Sequence, residues 1–263
     1  LRLWWEVARR GFRRYATYRW ATFAGVFTNS VFGLIRAYVF IAMFEVVGRA
    51  GGYDLADALT YTFVSQGLLM PLYIWGWQEI ADTVTSGQIA TDLYRPFDYQ
   101  LYWLSQDLGR ATYHALMRGI PPFVVGALLF DLRVPAHPVT WLAFVLSCYL
   151  AVAVSFALRF IVNISAFWLV NARGVNALAA GAWTILSGFT IPIAMFPDAA
   201  RSVVRVLPFV AMLEFPMDVF LERAEGADLL RTVGVQAAWA VLLLLAGRAM
   251  LAAGSRKLVV QGG

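Results

Sequence analysis

Six apolar stretches, each long enough to cross a bilayer, divide this chain: residues 20–47, 59–77, 111–130, 139–170, 177–196 and 229–252. About 20 consecutive apolar residues cross roughly 30 Å of hydrocarbon as an α-helix. In that solvent every backbone N–H and C=O must be satisfied internally, so helix is the form open to such blocks. The expected fold is an all-α membrane protein with six transmembrane helices. The fourth block would make ~48 Å of helix, so it either projects beyond the bilayer or breaks near Arg159 and Asn163. The first is far longer than the h-region of a signal peptide, and no small-residue cleavage site follows it, so no cleaved leader is expected.

Residues 1–19 read as an amphipathic helix ahead of the first block. Leu1, Trp4, Trp5, Ala8, Phe12 and Tyr15 recur on one face, and Arg2, Arg9, Arg10, Arg13 and Arg14 fill the other. That division suits an interfacial helix in the headgroup layer, its arginines toward anionic lipid. The arginines also orient the spans. With the N-terminus inside, the cytoplasmic segments carry these five together with Arg19, Arg95, Arg110, Arg173, Arg256 and Lys257. The two short outer loops carry only Arg49 and Arg133. The bias places both termini in the cytoplasm.

Apolar residues make up 60% of the chain and charged ones 14%, against roughly a quarter charged in soluble domains. In such a chain the net charge of +5 reports topology, and no nucleic-acid partner is expected. Lys257 is the single lysine and follows Ser255 and Arg256. A phosphate-binding loop needs a Gly-Lys-Ser/Thr turn whose ammonium reaches the β- and γ-phosphates, so any nucleotide that powers the protein is bound by another chain. One cysteine, Cys148, excludes an intrachain disulfide, and two histidines, His114 and His137, cannot assemble a metal centre. All three read as packing or interface residues, and no cofactor is expected in this chain. No catalytic residue is assigned, because no carboxylate pair, Ser–His–Asp set or ligand cluster assembles. Glu45, Asp57 and Glu79 sit near span ends, which leaves no deep acid for a proton relay. The outer acids Asp198, Glu214, Asp218 and Glu222 read as a solvated rim.

Four arginines nonetheless lie inside apolar blocks. Arg36 is the deepest, ~24 Å along the first span, and Glu45 farther out becomes a partner only if another element brings it near. Intramembrane charge faces a bundle interior, a wet cavity or an interface. Arg36 is therefore either structural, through an ion pair or outward snorkelling, or a candidate pathway residue. Arg118, Arg159 and Arg248 lie nearer the inner surface and read as snorkelling anchors.

Two connections are more than linkers. Residues 78–110 are polar at first and then aromatic, with Tyr94, Phe97, Tyr99, Tyr102 and Trp103, a mixture suited to the membrane surface or a docked partner. Residues 197–228 place Pro197, Pro208 and Pro216 among Val, Leu, Phe and Met. Apolar pieces of about ten residues, broken by prolines, read as re-entrant or surface helices.

Four segments resemble one family, the membrane subunits of type-2 ATP-binding-cassette exporters, and within it the ABC2_membrane_6 permeases. They are the basic start EVARRGFRRYATYRW; SGQIATDLYRPFDYQLYWLSQDLGR at 86–110, similar to a family G-x-I-x-x-x-L-x-R-P-x-D segment; GFTIPIAMFPDAARSVVRVLPF at 188–209, similar to a Pro-I/L…F-P…L-P-F pattern; and the tail RKLVVQGG. The resemblance covers essentially the whole chain and implies a permease domain over 20–263. It implies a cytoplasmic coupling helix between spans two and three that meets an ATPase, carried here by Gly87, Gln88, Ile89, Asp92, Leu93, Arg95 and Pro96. Asp92 and Arg95 offer charge to a partner, while Ile89 and Leu93 share a face at i,i+4. It also implies short re-entrant helices between spans five and six that cap an outer gate, matched by Pro192, Pro197, Leu207, Pro208 and Phe209.

The resulting expectation is the permease of an ATP-driven exporter in a bacterial inner membrane. Two permeases, identical or related, would sit on two ATPase subunits that bind ATP and magnesium, among membrane lipids, with the substrate unnamed. An ion-coupled secondary transporter is the alternative and would call for a deep Asp, Glu or His. An integral-membrane lipid-modifying enzyme would call for a polar constellation at the interface. Topology is directly testable in a Cys148→Ser background on intact cells. A membrane-impermeant maleimide should label Glu225→Cys and spare Thr91→Cys; the reverse pattern would invert the orientation.

Overall fold

The structure, a computed structural model, describes residues 2–73, 77–169 and 172–257, and holds no β-strand among them. α1 (Arg2–Ala16) keeps its arginines on the exposed face and buries Val7 and Gly11. Lipid is not its only support, because it lies along α6 (Tyr99–His114). The two backbones approach so closely that a Cβ on Gly109 would stand 1.8 Å from the Ala8 carbonyl oxygen, and one on Gly11 2.3 Å from that of Gln106. Phe12 then meets Tyr113 edge-on, and Tyr15 meets His114 in the same way.

α2 (Arg19–Val47), α8 (Pro138–Ile164) with its 3-10 extension to Phe167, and α12 (Gly226–Ser255) are each long and apolar enough to cross a membrane. α8 passes through Arg159 and Asn163 without a break, and the end of the fourth apolar block at Val170 lies outside the described residues. α3 (Leu55–Leu72) is the central helix, buried on nearly every side. Its start is set by a reciprocal cap: Asp54 accepts from the Asp57 N–H at 3.0 Å, and Asp57 accepts from the Asp54 N–H at 3.2 Å. Two donors left orphaned by the helix end are satisfied in this way. α2 buries Gly25, Asn29, Gly33, Ala37, Phe40 and Phe44, a stripe at three- and four-residue spacing, and Asn29 donates to Gln66 O of α3 at 3.2 Å.

α6 runs on through Ala115–Gly119 into α7 (Ile120–Leu129). The five joining residues are π-helical, with the Ile120 N–H donating to Ala115 O. Pro121 and Pro122 remove two donors from the following turn, which favours the wider winding there. The third expected span is thus the second half of a rod that begins at Tyr99. Residues 99–110, expected in a surface connection, are helix with Tyr99, Gln100, Asp107, Gly109 and Arg110 buried. The fifth expected span is shorter than its apolar block. α9 (Arg173–Leu186) has 14 residues, ~21 Å, and the chain turns before Pro192, which cannot continue a helix.

Beyond α9 come a 3-10 turn at Ile193–Met195, α10 (Asp198–Val204), a second 3-10 turn at Pro208–Ala211, and α11 (Glu214–Phe220). Pro192, Pro197 and Pro208 stand at element starts, where a missing N–H costs no hydrogen bond. The connections divide between two ends. α1, α4 (Glu79–Thr85) and α5 (Ile89–Leu93) share one end, where Arg14 meets Glu79 at 3.1 Å and Arg248 meets Asp98. At the other end Arg133 pairs with Asp57 at 2.9 Å, and Glu222 accepts from Ala136 and His137 N–H groups.

The approach of α1 to α6 depends on the absent Cβ of Gly109. Gly109→Leu should separate the helices and cost about 1–3 kcal/mol as overpacking. In detergent this would appear as a lowered unfolding midpoint and faster tryptic cleavage after Arg9 and Arg10. Gly174→Leu, where a Cβ meets nothing within 4 Å, should leave both readouts unchanged.

Candidate functional site

A helix end leaves its last carbonyls without partners, and α3 ends inside the protein at Pro71 and Leu72. Side chains from two other helices take them up. Arg110 of α6 donates to Met70 O at 2.6 Å and to Pro71 O at 2.8 Å, while Ser155 of α8 donates to Leu72 O. Asp107, one turn before Arg110, accepts from Arg110 Nε at 2.7 Å and from Arg159 Nη2 of α8 at 2.7 Å. All three charged side chains are at most 5% exposed. Arg110 also lies 4.6 Å from the Tyr73 ring centre, and Arg159 lies 5.0 Å from that of Trp77. Two cations face one anion, and the surplus positive charge sits at the negative end of the α3 dipole.

One turn along α8, Asn163 accepts from the Ala81 N–H at 3.0 Å and donates to Trp77 O at 3.0 Å. The start of α4 is therefore tied to the helix that carries Arg159. The expectation that Arg159 snorkels is corrected: it is 1% exposed. Arg110, counted with the cytoplasmic segments, is buried too. Asp107 explains both, because it supplies counter-charge from within the helix. Its spacing from Arg110 and the isolated arginine in an apolar block were the available signals. Arg248 stays about half exposed and reaches Asp98. The Arg118 guanidinium lies against Gly25 of α2, and its Nε has no hydrogen-bond partner among the described residues.

α4 and α5 form a helical hairpin that turns at Gly87, where φ is +75°, in the left-handed region that glycine adopts without strain. Ile80, Ala81, Val84 and Ile89 are buried against Phe156, Phe160 and Ile164, and Leu93 packs on the same cluster. The face shared by Ile89 and Leu93 therefore points into this chain, away from any partner. Left uncovered are Gly87, Gln88, Thr91, Tyr94, Arg95 and Pro96, with Tyr94 81% exposed. Asp92 is largely covered and pairs with Arg95 at 3.4 Å.

At the opposite end three side chains hold the turn after α9. Arg36 donates to Phe189 O at 2.7 Å, Thr190 O at 3.2 Å and Ser65 Oγ at 3.3 Å, and lies over the Phe189 ring. The Tyr61 hydroxyl reaches Gly188 O and the Glu214 carboxylate, both at 2.9 Å. Glu214 accepts from the Ile193 and Ala194 N–H groups at 3.1 and 3.3 Å. Arg36 forms no ion pair among the described residues, and Glu45 is exposed elsewhere on α2. Glu214, expected in a solvated rim, is 2% exposed, because it receives backbone donors that the broken helix releases. Burial holds its carboxyl above the usual carboxylate range, with Asp218 adding to the effect and its three donors opposing it. Pro192 is buried in this layer and Pro197 exposed, while Leu207, Pro208 and Phe209 are half-buried.

His114 and Cys148 pack within the helices as expected of them. Among the described residues no group of His, Cys, Asp and Glu is arranged to hold a metal ion. Residues 32–262 match the family model ABC2_membrane_6, described as ABC-2 family transporter protein. No curated protein and no solved structure matches the chain.

Removing the anion of the buried cluster should cost more than removing the whole interaction, because two desolvated cations are then left facing each other. Asp107→Asn should lower stability by about 3–5 kcal/mol, measured as the thermal midpoint in detergent. Asp107→Asn combined with Arg159→Met should recover part of that loss.

Proposed function

The chain belongs to the ABC-2 family of transporter proteins, as a membrane permease of that type, and we propose that it lines the substrate pathway of an ATP-driven exporter. Two permeases, identical or related, stand on two ATPase subunits that bind ATP and magnesium, and this chain contributes no hydrolytic residue. Its six spans are α2, α3, the second half of the α6–α7 rod, α8, α9 with the turn beyond it, and α12. Both termini face the cytoplasm of a bacterial cell.

The reading rests on the two-sided hairpin of α4 and α5. One face is apolar and packed on α8, and the opposite face leaves Gln88, Thr91, Tyr94, Arg95 and Pro96 uncovered. An aromatic and an arginine side by side are the residue types enriched where proteins dock. The ATPase contact is therefore the exposed face, with Ile89 and Leu93 fastening the hairpin to the permease. Displacement of the hairpin reaches α8 through Asn163, and α3 and α6 through the Arg159–Asp107–Arg110 cluster. At the outer end, the turn held by Arg36, Tyr61 and Glu214 fastens the gate formed by Pro192, Pro197, Leu207, Pro208 and Phe209, and Arg36 stands beside the pathway. Ion coupling asks for a buried acid that is free to bind an ion. Asp107 is buried but committed to two arginines, and Glu214 is buried but already accepts from the Tyr61 hydroxyl and the Ile193 and Ala194 N–H groups.

In reconstituted complex, Thr91→Arg and Tyr94→Asp should each weaken ATPase docking by about tenfold or more, equivalent to about 1.4 kcal/mol. Transport should fall in parallel while insertion is unchanged, and Tyr94→Phe should remain near wild type. Transport by the isolated permease in liposomes without ATP or an ATPase subunit would overturn the reading.

A further inference from the structure

A cavity of about 480 Å³ opens between α3, the α6–α7 rod and α8, and touches the buried charged cluster only at Pro71, whose carbonyl is taken by Arg110. Along α8 it extends from Trp141 to Val152, ~16 Å of helix. That is about half of the roughly 30 Å hydrocarbon thickness, the reach of chains from a single leaflet. Spread over this length, the volume is room enough for an extended hydrocarbon chain. Its lining is almost wholly apolar. The hydroxyls of Thr112 and Tyr149 at its edge are engaged with each other at 3.0 Å, so no polar anchor is left for water or a polar ligand.

The cavity is also open sideways. Leu116 and Val145 on its rims are 46% and 50% exposed, continuous with the apolar surface of the spans. At that depth the surroundings are acyl chains. Trp141 stands at one mouth, fixed by a hydrogen bond from Nε1 to Pro135 O at 3.1 Å and by edge contact with Phe220, as aromatic residues do at the level of lipid headgroups. Near that mouth Arg133 is engaged with Asp54 and Asp57. The recognition is thus of the chain and not of the headgroup.

We propose that this groove is a lipid site, occupied by one acyl chain of a bilayer phospholipid that enters laterally between α7 and α8. The site rests on membrane embedding alone and not on ATP-driven transport, so its test needs no ATPase. The full-length protein is reconstituted in phosphatidylethanolamine vesicles containing phosphatidylglycerol with a mid-chain diazirine, irradiated, and digested for peptide mapping. Groove peptides around Leu116 and Val145 should be labelled severalfold more than the open lipid-facing surface of α12 at Leu242 and Leu245, which are 57% and 58% exposed. Ala115→Phe and, independently, Val145→Trp fill the groove and should abolish that excess while α12 labelling persists, which also reports that the variants remain inserted. Diazirine-bearing phosphatidylethanolamine should label the groove equally well. Groove labelling no greater than that of α12 would indicate ordinary annular contact and overturn the proposal. So would excess labelling that survives both filling variants, or a groove found cross-linked to protein in place of lipid.

Discussion

Asp107, held between Arg110 and Arg159, is the interaction on which one half of this molecule depends. It joins α6 to α8 directly, and through Arg110 it closes the open end of α3. Neither arginine could stay at 5% exposure or less without it, since an unpaired buried cation carries a desolvation penalty of several kcal/mol. The Pro71 carbonyl of α3 in turn takes its hydrogen bond from Arg110, while Leu72 O takes its own from Ser155. The cluster is a mutual dependence of charge and backbone, and the apolar core around Tyr61, Leu69 and Val152 packs beside helices whose ends it secures.

The same logic recurs wherever a span stops short. Arg36 and Tyr61 take the carbonyls released beyond α9, and Glu214 takes the N–H groups of the following turn. Asn163 bridges the start of α4. In hydrocarbon a broken helix is tolerated only where neighbours re-satisfy its backbone. Arg36, Tyr61, Glu214, Asn163 and Arg110 are spent on that task.

The two ends use this economy differently. At one end the hairpin of α4 and α5 hides its apolar face and leaves a small polar face free, which suits a contact made and changed by another protein. At the other end short helices pack inward, with Val210, Met212, Leu213 and Met217 fully buried, and the turn before them is both packed at Ile193 and tied by Arg36, Tyr61 and Glu214.

How much of this was legible follows from the range of the forces. The apolar blocks, the two-faced character of the N-terminal helix, and the breaking of residues 197–228 into short helices at prolines are properties of short windows, and the residues alone determined them. The likeness of residues 86–98 and 188–209 to a family pattern was visible on the same terms. Tertiary structure decided which face of Ile89 and Leu93 turns inward, that Arg159 is buried instead of snorkelling, and that Glu214 lies inside the outer layer. Each of those outcomes depends on a partner 52 to 153 residues away: Ile164 for Ile89, Asp107 for Arg159, Tyr61 for Glu214. Hydropathy and periodicity report how a segment meets its solvent. Only packing brings distant groups within hydrogen-bond distance, and for a charge in an apolar chain that distance settles whether it is exposed or enclosed.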